Sequence, residues 1–190
     1  MIESYRVALF FHLAALIAAA IASTLAHFAT ARQARAATVR DAAYWHGLVM
    51  SSEIVLPIAV VVFFLSGAYM IHDDGAWSWR TGWIDAGIAG TLALFTLGGF
   101  IGSRRRVLAR RLEELSRSRG GAAEAPPIDA LAHTISWSCA GLAIGIVAVM
   151  TIKPSLVAGL LVLCVGAAVG FAVSRWEHGA AEARTLGVTS

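Results

Sequence analysis

From Ala130 to Val173 the chain is predominantly apolar, with one break at Thr151-Ile152-Lys153-Pro154-Ser155. In hydrocarbon every backbone N–H and C=O must be bonded within the protein, which leaves closed barrels and α-helices as the spanning solutions. Read as one helix, these about 44 residues would extend roughly 66 Å, about twice the thickness of a bilayer core. The stretch therefore folds into two spans that turn at Lys153-Pro154. The same length argument finds three further runs. The fold class expected is all-α, a polytopic membrane helical bundle of five transmembrane helices at about 6–30, 45–71, 83–102, 130–151 and 155–174. Charged residues make up 14% of the chain, against about 25% in a soluble domain. That leaves room for a single transmembrane domain over 1–190, with a basic connector at 102–129 and a tail at 175–190.

The first run, from Val7 to about Ala31, exceeds the roughly 7–15 apolar residues of a signal peptide and reads as an uncleaved span. Ala14, Ala18 and Ala22 recur along it at i, i+4 and i+8, with Ala15, Ala19 and Ser23 beside them, a stripe that lets helices approach closely in lipid. Tyr44 and Trp45 open the second span as interfacial aromatics, and Pro57 inside it removes one helical hydrogen bond and is expected to kink it. The third span continues into the basic segment. There Leu108, Leu112 and Leu115 repeat at helical spacing, which predicts a helix running along or out of the membrane interface as far as Gly120-Gly121.

Basic residues set the direction. Seven of the fifteen lie between Gly102 and Asp129. Cytoplasmic loops carry the excess of Lys and Arg. With this segment inside, twelve fall on the inner side, and only Arg6, Arg80 and Lys153 fall outside. The N-terminus is then outside, the C-terminus cytoplasmic, and the protein a multi-pass component of a bacterial inner membrane. Arg104, Arg105, Arg106, Arg110, Arg111 and Trp176 are the residues expected to meet lipid or a partner. Clustering beside the spans assigns these arginines to topology and anionic headgroups, and excludes nucleic acid as a partner.

Three GxxxG pairs, Gly98/Gly102, Gly141/Gly145 and Gly166/Gly170, mark candidate close helix contacts. Cys139 and Cys164 fall inside spans without CxxC spacing and read as buried thiols. The segment Gly120–Pro127 and the tail have compositions that order only when something ties them down. This points to a partner on the cytoplasmic face, with a footprint of 104–119 and 176–190.

Ionisable groups within spans are functional candidates because burying them in lipid is costly. His12 lies one to two turns inside the first span, where it can ligate a tetrapyrrole metal or simply bond a neighbouring helix. Glu53 and His133 are the polar candidates toward the inner side, and Glu53 is read as the partner of an arginine. His27, His46 and His133 are all near that side, but no HxxxH-type spacing links them, and no metal site is assigned. His72, Asp73 and Asp74 read as a solvated turn. No Ser-His-Asp set, P-loop or dinucleotide fingerprint is present.

His12, Leu56-Pro57-Ile58, Ser66–Met70 (SGAYM), Trp77–Trp83 (WSWRTGW) and Val149–Pro154 (VMTIKP) follow one another in an order that resembles a bacterial family of predicted integral membrane proteins of unknown function. More distantly, the first two spans resemble the copper-resistance D membrane domain and the haem-binding membrane protoporphyrinogen oxidase. The latter resemblance implies haem binding at His12. Three functions are thus expected to compete. The leading one is a non-catalytic subunit that packs within and stabilises a larger membrane complex of respiratory or photosynthetic type, without a cofactor of its own. The second is a haem- or tetrapyrrole-binding redox protein using His12, and the third a proton- or metal-linked transporter.

Overall fold

The computed structural model describes the backbone of residues 2–74 and 79–185, and the side chains of 3–72 and 79–177. The chain is all-helical, with α1 (Ile2–Gln33), α2 (Val39–Asp74), α3 (Gly82–Arg119), α4 (Ala130–Ile152) and α5 (Leu156–Thr185). All five are long and apolar enough to cross a membrane. Each expected span lies within one of them. The loop residues 75–78, the side chains of Asp73 and Asp74, and the last five residues lie outside the described residues.

The helices group into two compact units, residues 1–81 with 99–129 and residues 82–98 with 130–190, so that α3 contributes to both. In the first unit α1 packs on α2. The buried face of α1 carries Ala8, Ala15, Ala22 and Ala29, and that of α2 carries Ser52, Ala59 and Ser66. Both sets repeat every seven residues, the spacing at which a seam stays on one side of two helices crossing at a shallow angle. Ala14 and Ala18, expected at the contact, are only half-buried beside it. The serines can be buried because Ser52 donates to the Leu48 carbonyl (3.0 Å) and Ser66 to that of Val62 (2.6 Å). α2 continues through Pro57.

α3 is 38 residues long, roughly 57 Å, so its last turns cannot lie in hydrocarbon about 30 Å thick. Its leucine stripe packs against the chain's own α1–α2 loop. Leu112 is buried against Val39 and Ala42, with Leu108, Leu115, Ala36, Ala123 and Ala125 around them. The Val39 N–H donates to the Ala123 carbonyl (2.8 Å), Arg40 N–H to Gly121 (3.0 Å) and Ala125 N–H to Ala37 (3.2 Å). The connector is therefore fixed by the α1–α2 loop of its own chain, and its order needs no partner.

In the second unit α4 packs on α5 through glycine. A Cβ at Gly141 would overlap the Gly166 carbonyl oxygen, one at Gly166 the Gly141 oxygen, and one at Gly170 the Trp137 oxygen. Two of the three GxxxG pairs thus face each other, backbone on backbone. The third does not: nothing lies within 4 Å of a Cβ at Gly98, and Gly102 has only side-chain tips nearby. At the turn between α4 and α5 Lys153 takes φ +54°. Proline disfavours a right-handed helical residue before it, and this geometry reverses the chain within three residues. The Lys153 ammonium then sits 5.5 Å from the centre of the Trp83 ring.

Candidate functional site

α1 and α2 bring His12 against Phe63, Ser66 and Gly67. Nδ1 of His12 lies 3.0 Å from the Phe63 carbonyl oxygen and 3.2 Å from the Ser66 hydroxyl. A carbonyl only accepts, and Ser66 spends its proton on a backbone carbonyl of its own helix. Nδ1 therefore carries the hydrogen and donates, which leaves the lone pair on Nε2. The ring stacks on Phe63 with centroids 3.9 Å apart. Gly67 makes room for it, since a Cβ there would sit 3.3 Å from Cε1. Among the described residues nothing donates to Nε2. A half-buried neutral imidazole, oriented through Nδ1 and offering Nε2, is what a metal-ligating histidine requires, and it is equally a polar staple between two helices.

Near the other end of the α1–α2 pair a second polar group closes on itself. Arg105 donates from Nη1 to Glu53 Oε1 at 2.8 Å, and the two side chains are only 10% and 16% exposed. Glu53 thus has the arginine partner expected for it. Pro57 lacks an N–H, so the backbone carbonyl of Glu53 also loses its helical bond. His46 donates from Nε2 to the Arg105 carbonyl (3.0 Å), and its Nδ1 faces the Gln33 amide (3.2 Å). The atom facing Nδ1 is Gln33 Oε1, so a neutral ring that donates from Nε2 requires the amide to be turned with its NH₂ toward Nδ1.

This overturns one expectation. Arg105 is not a contact to lipid or a partner but a buried ion-pair residue, because the turn of α3 that carries it faces Glu53. Arg104 pairs with Asp129 and lies over the Phe100 ring. Arg106, Arg110 and Arg111 are exposed as expected, and Trp176 is 75% exposed.

The other histidines expected to lie together, His27, His46 and His133, are engaged separately. His27 bonds the Ser23 carbonyl one turn back (2.8 Å). His133 bonds Glu177 at 3.2 Å, and the same carboxylate accepts from Trp137 Nε1 at 2.9 Å. Beside them Thr134 and the fully buried Ser174 share a hydrogen bond of 3.0 Å. Among the described residues no group of three or more His, Cys, Asp or Glu side chains is placed to hold a metal ion. Cys139 is half-buried, and Cys164, expected to be buried, is exposed, on an outward face of α5.

No protein-family model matches the chain, and no curated protein or solved structure does so at a significant level. Sequence reasoning missed Gln33, Glu177, Asp129, Phe63 and Ser66. Glu177 stands 44 residues from His133, and no local pattern links such a pair. Ser66 and Gly67 did carry a signal, since they begin the SGAYM segment that contributed to the resemblance.

Proposed function

We propose that this chain is a non-catalytic subunit that packs within and stabilises a larger complex in a bacterial inner membrane, with its N-terminus outside. The observation that carries the reading is the division among its helical glycines. Gly82, Gly87, Gly90, Gly141, Gly145, Gly159, Gly166 and Gly170 each leave room for a neighbouring atom of the same chain. Gly98 and Gly99, adjacent on α3, are exposed, with nothing within 4 Å of a Cβ on either, as is Gly47 on α2. A glycine inside a helix costs about 1 kcal/mol relative to alanine. Close approach of a helix from another chain is the use that offsets this, since small residues are what membrane helices pack through.

Replacing Gly98 and Gly99 by alanine is expected to stabilise the isolated chain by about 1 kcal/mol per site and to weaken assembly, because each added methyl holds the partner helix further off. Replacing both by isoleucine should leave the chain folded but release it from its partner, read as native mass after gentle solubilisation. A wild-type protein that is a monodisperse single chain, or an isoleucine variant that assembles normally, removes the subunit reading.

A second reading is favoured by the anchored tautomer of His12. A neutral imidazole whose Nε2 is free suits axial ligation of a haem iron, and a haem would supply one-electron chemistry. Protein purified from haem-replete cells is then expected to show a Soret band that His12→Ala abolishes. A colourless, folded preparation eliminates this function.

A further inference from the structure

We infer that the inner end of the α1–α2 pair holds an anionic phospholipid, its phosphate on Arg32 and an acyl chain along α1. Arg32 occupies the last turn of α1. Its guanidinium carbon lies 5.2 Å from the centre of the Phe28 ring and 5.9 Å from that of Trp45. Phe28 meets Trp45 edge-on at 6.0 Å, and Tyr44 meets Trp45 edge-on at 5.2 Å. The aromatic shelf holds the guanidinium by its face, which leaves the in-plane N–H donors to bind a phosphate in the forked geometry arginine favours. Among the described residues no carboxylate pairs with Arg32. The nearby Asp41 is bonded to Thr38. The first N–H groups of α2 are likewise taken, by Ala123, Gly121 and Thr38, so anion recognition falls on the arginine.

The face of α1 that leads to Arg32 says which anion. Ile17, Ile21, Leu25 and Phe28 are all exposed. With Arg32 they stand at i, i+4, i+8, i+11 and i+15, one continuous exposed stripe roughly 110° around the helix from the buried alanines. From Ile17 to Phe28 the stripe rises roughly 17 Å, close to the roughly 15 Å depth of one leaflet. An apolar track one leaflet deep, ending in a guanidinium on an interfacial aromatic shelf, fits a lipid rather than a free ion.

The probe is phosphatidylglycerol added to delipidated protein in mild detergent and read by native mass spectrometry. Wild type is expected to retain one phosphatidylglycerol in preference to phosphatidylcholine. Arg32→Ala and Arg32→Gln should each weaken retention roughly fivefold, with an unchanged melting temperature because the side chain is exposed. Arg117→Ala, at a solvent-facing pair on α3, should bind as wild type. Equal retention by wild type and both Arg32 variants overturns the site. Equal retention of phosphatidylcholine, or full displacement by inorganic phosphate, overturns the assignment to an anionic lipid.

Discussion

Arg105→Ala is expected to destabilise the protein by about 3–5 kcal/mol, because it strands the carboxylate of Glu53, to which no other cation is bonded among the described residues. The loss is larger than that of a surface pair, worth about 1 kcal/mol or less, since both side chains are nearly out of contact with solvent. Two further consequences follow from the same contact. Glu53→Ala should cost a similar amount by stranding the guanidinium. The double variant Glu53→Met with Arg105→Met should recover most of the loss, since it removes both charges and refills their volume. Unfolding of all three variants in detergent, combined as a double-mutant cycle, checks this. Strictly additive losses, or single losses within about 0.5 kcal/mol, would show that the pair is solvated.

Gly166→Ala should destabilise the α4–α5 pair, by about 3 kcal/mol, at the upper end of what overpacking costs. The atom in the way is a backbone oxygen of the facing helix, so no side-chain rotation relieves it. In lipid the helices are held by close packing, not by a hydrophobic drive, and pushing them apart forfeits that directly. The sign of the effect is the sharper test. The same substitution at Gly98 stabilises and at Gly166 destabilises, although both are glycines of GxxxG pairs in membrane helices. Equal melting temperatures for the two variants would refute the backbone contact between α4 and α5.

These two contacts also show where the sequence was readable. The spans followed from length and hydropathy alone, and the turn at Lys153-Pro154 from the impossibility of a helix twice as long as the membrane is thick. GxxxG spacing identified Gly141 and Gly166 as candidates but identified Gly98 equally, because spacing records which face is small and not what lies opposite. The seam of α1 was read only in part, since Ala22 and the neighbouring Ala15 are buried. Ala14 and Ala18 fit an i, i+4 stripe, yet the helix pair selects the seven-residue repeat of Ala8, Ala15 and Ala22. At the inner cluster, residue chemistry announced that Glu53 needed a cation. Which arginine supplies it depends on the rotation of α3 about its axis, and seven clustered arginines leave that unresolved in a linear reading. Arg105 was accordingly assigned outward when it points in. The role of Glu177 was invisible for the same reason, as it acts across two helices.

The strap between residues 36–40 and 121–125 has a consequence for the order of events during synthesis. The N–H groups of Val39 and Arg40 begin α2, and their acceptors are carbonyls that leave the ribosome only after the whole of α3. At roughly 5–20 residues per second the wait is roughly 4–17 s. Over that interval the α1–α2 hairpin has its apolar helices but a connecting loop whose donors are not yet met by the chain's own carbonyls. Leu112 closes over Val39 and Ala42 only once the third helix is in place. The chain therefore carries a late fastening, which commits the first hairpin to its final arrangement after the third helix has entered the bilayer.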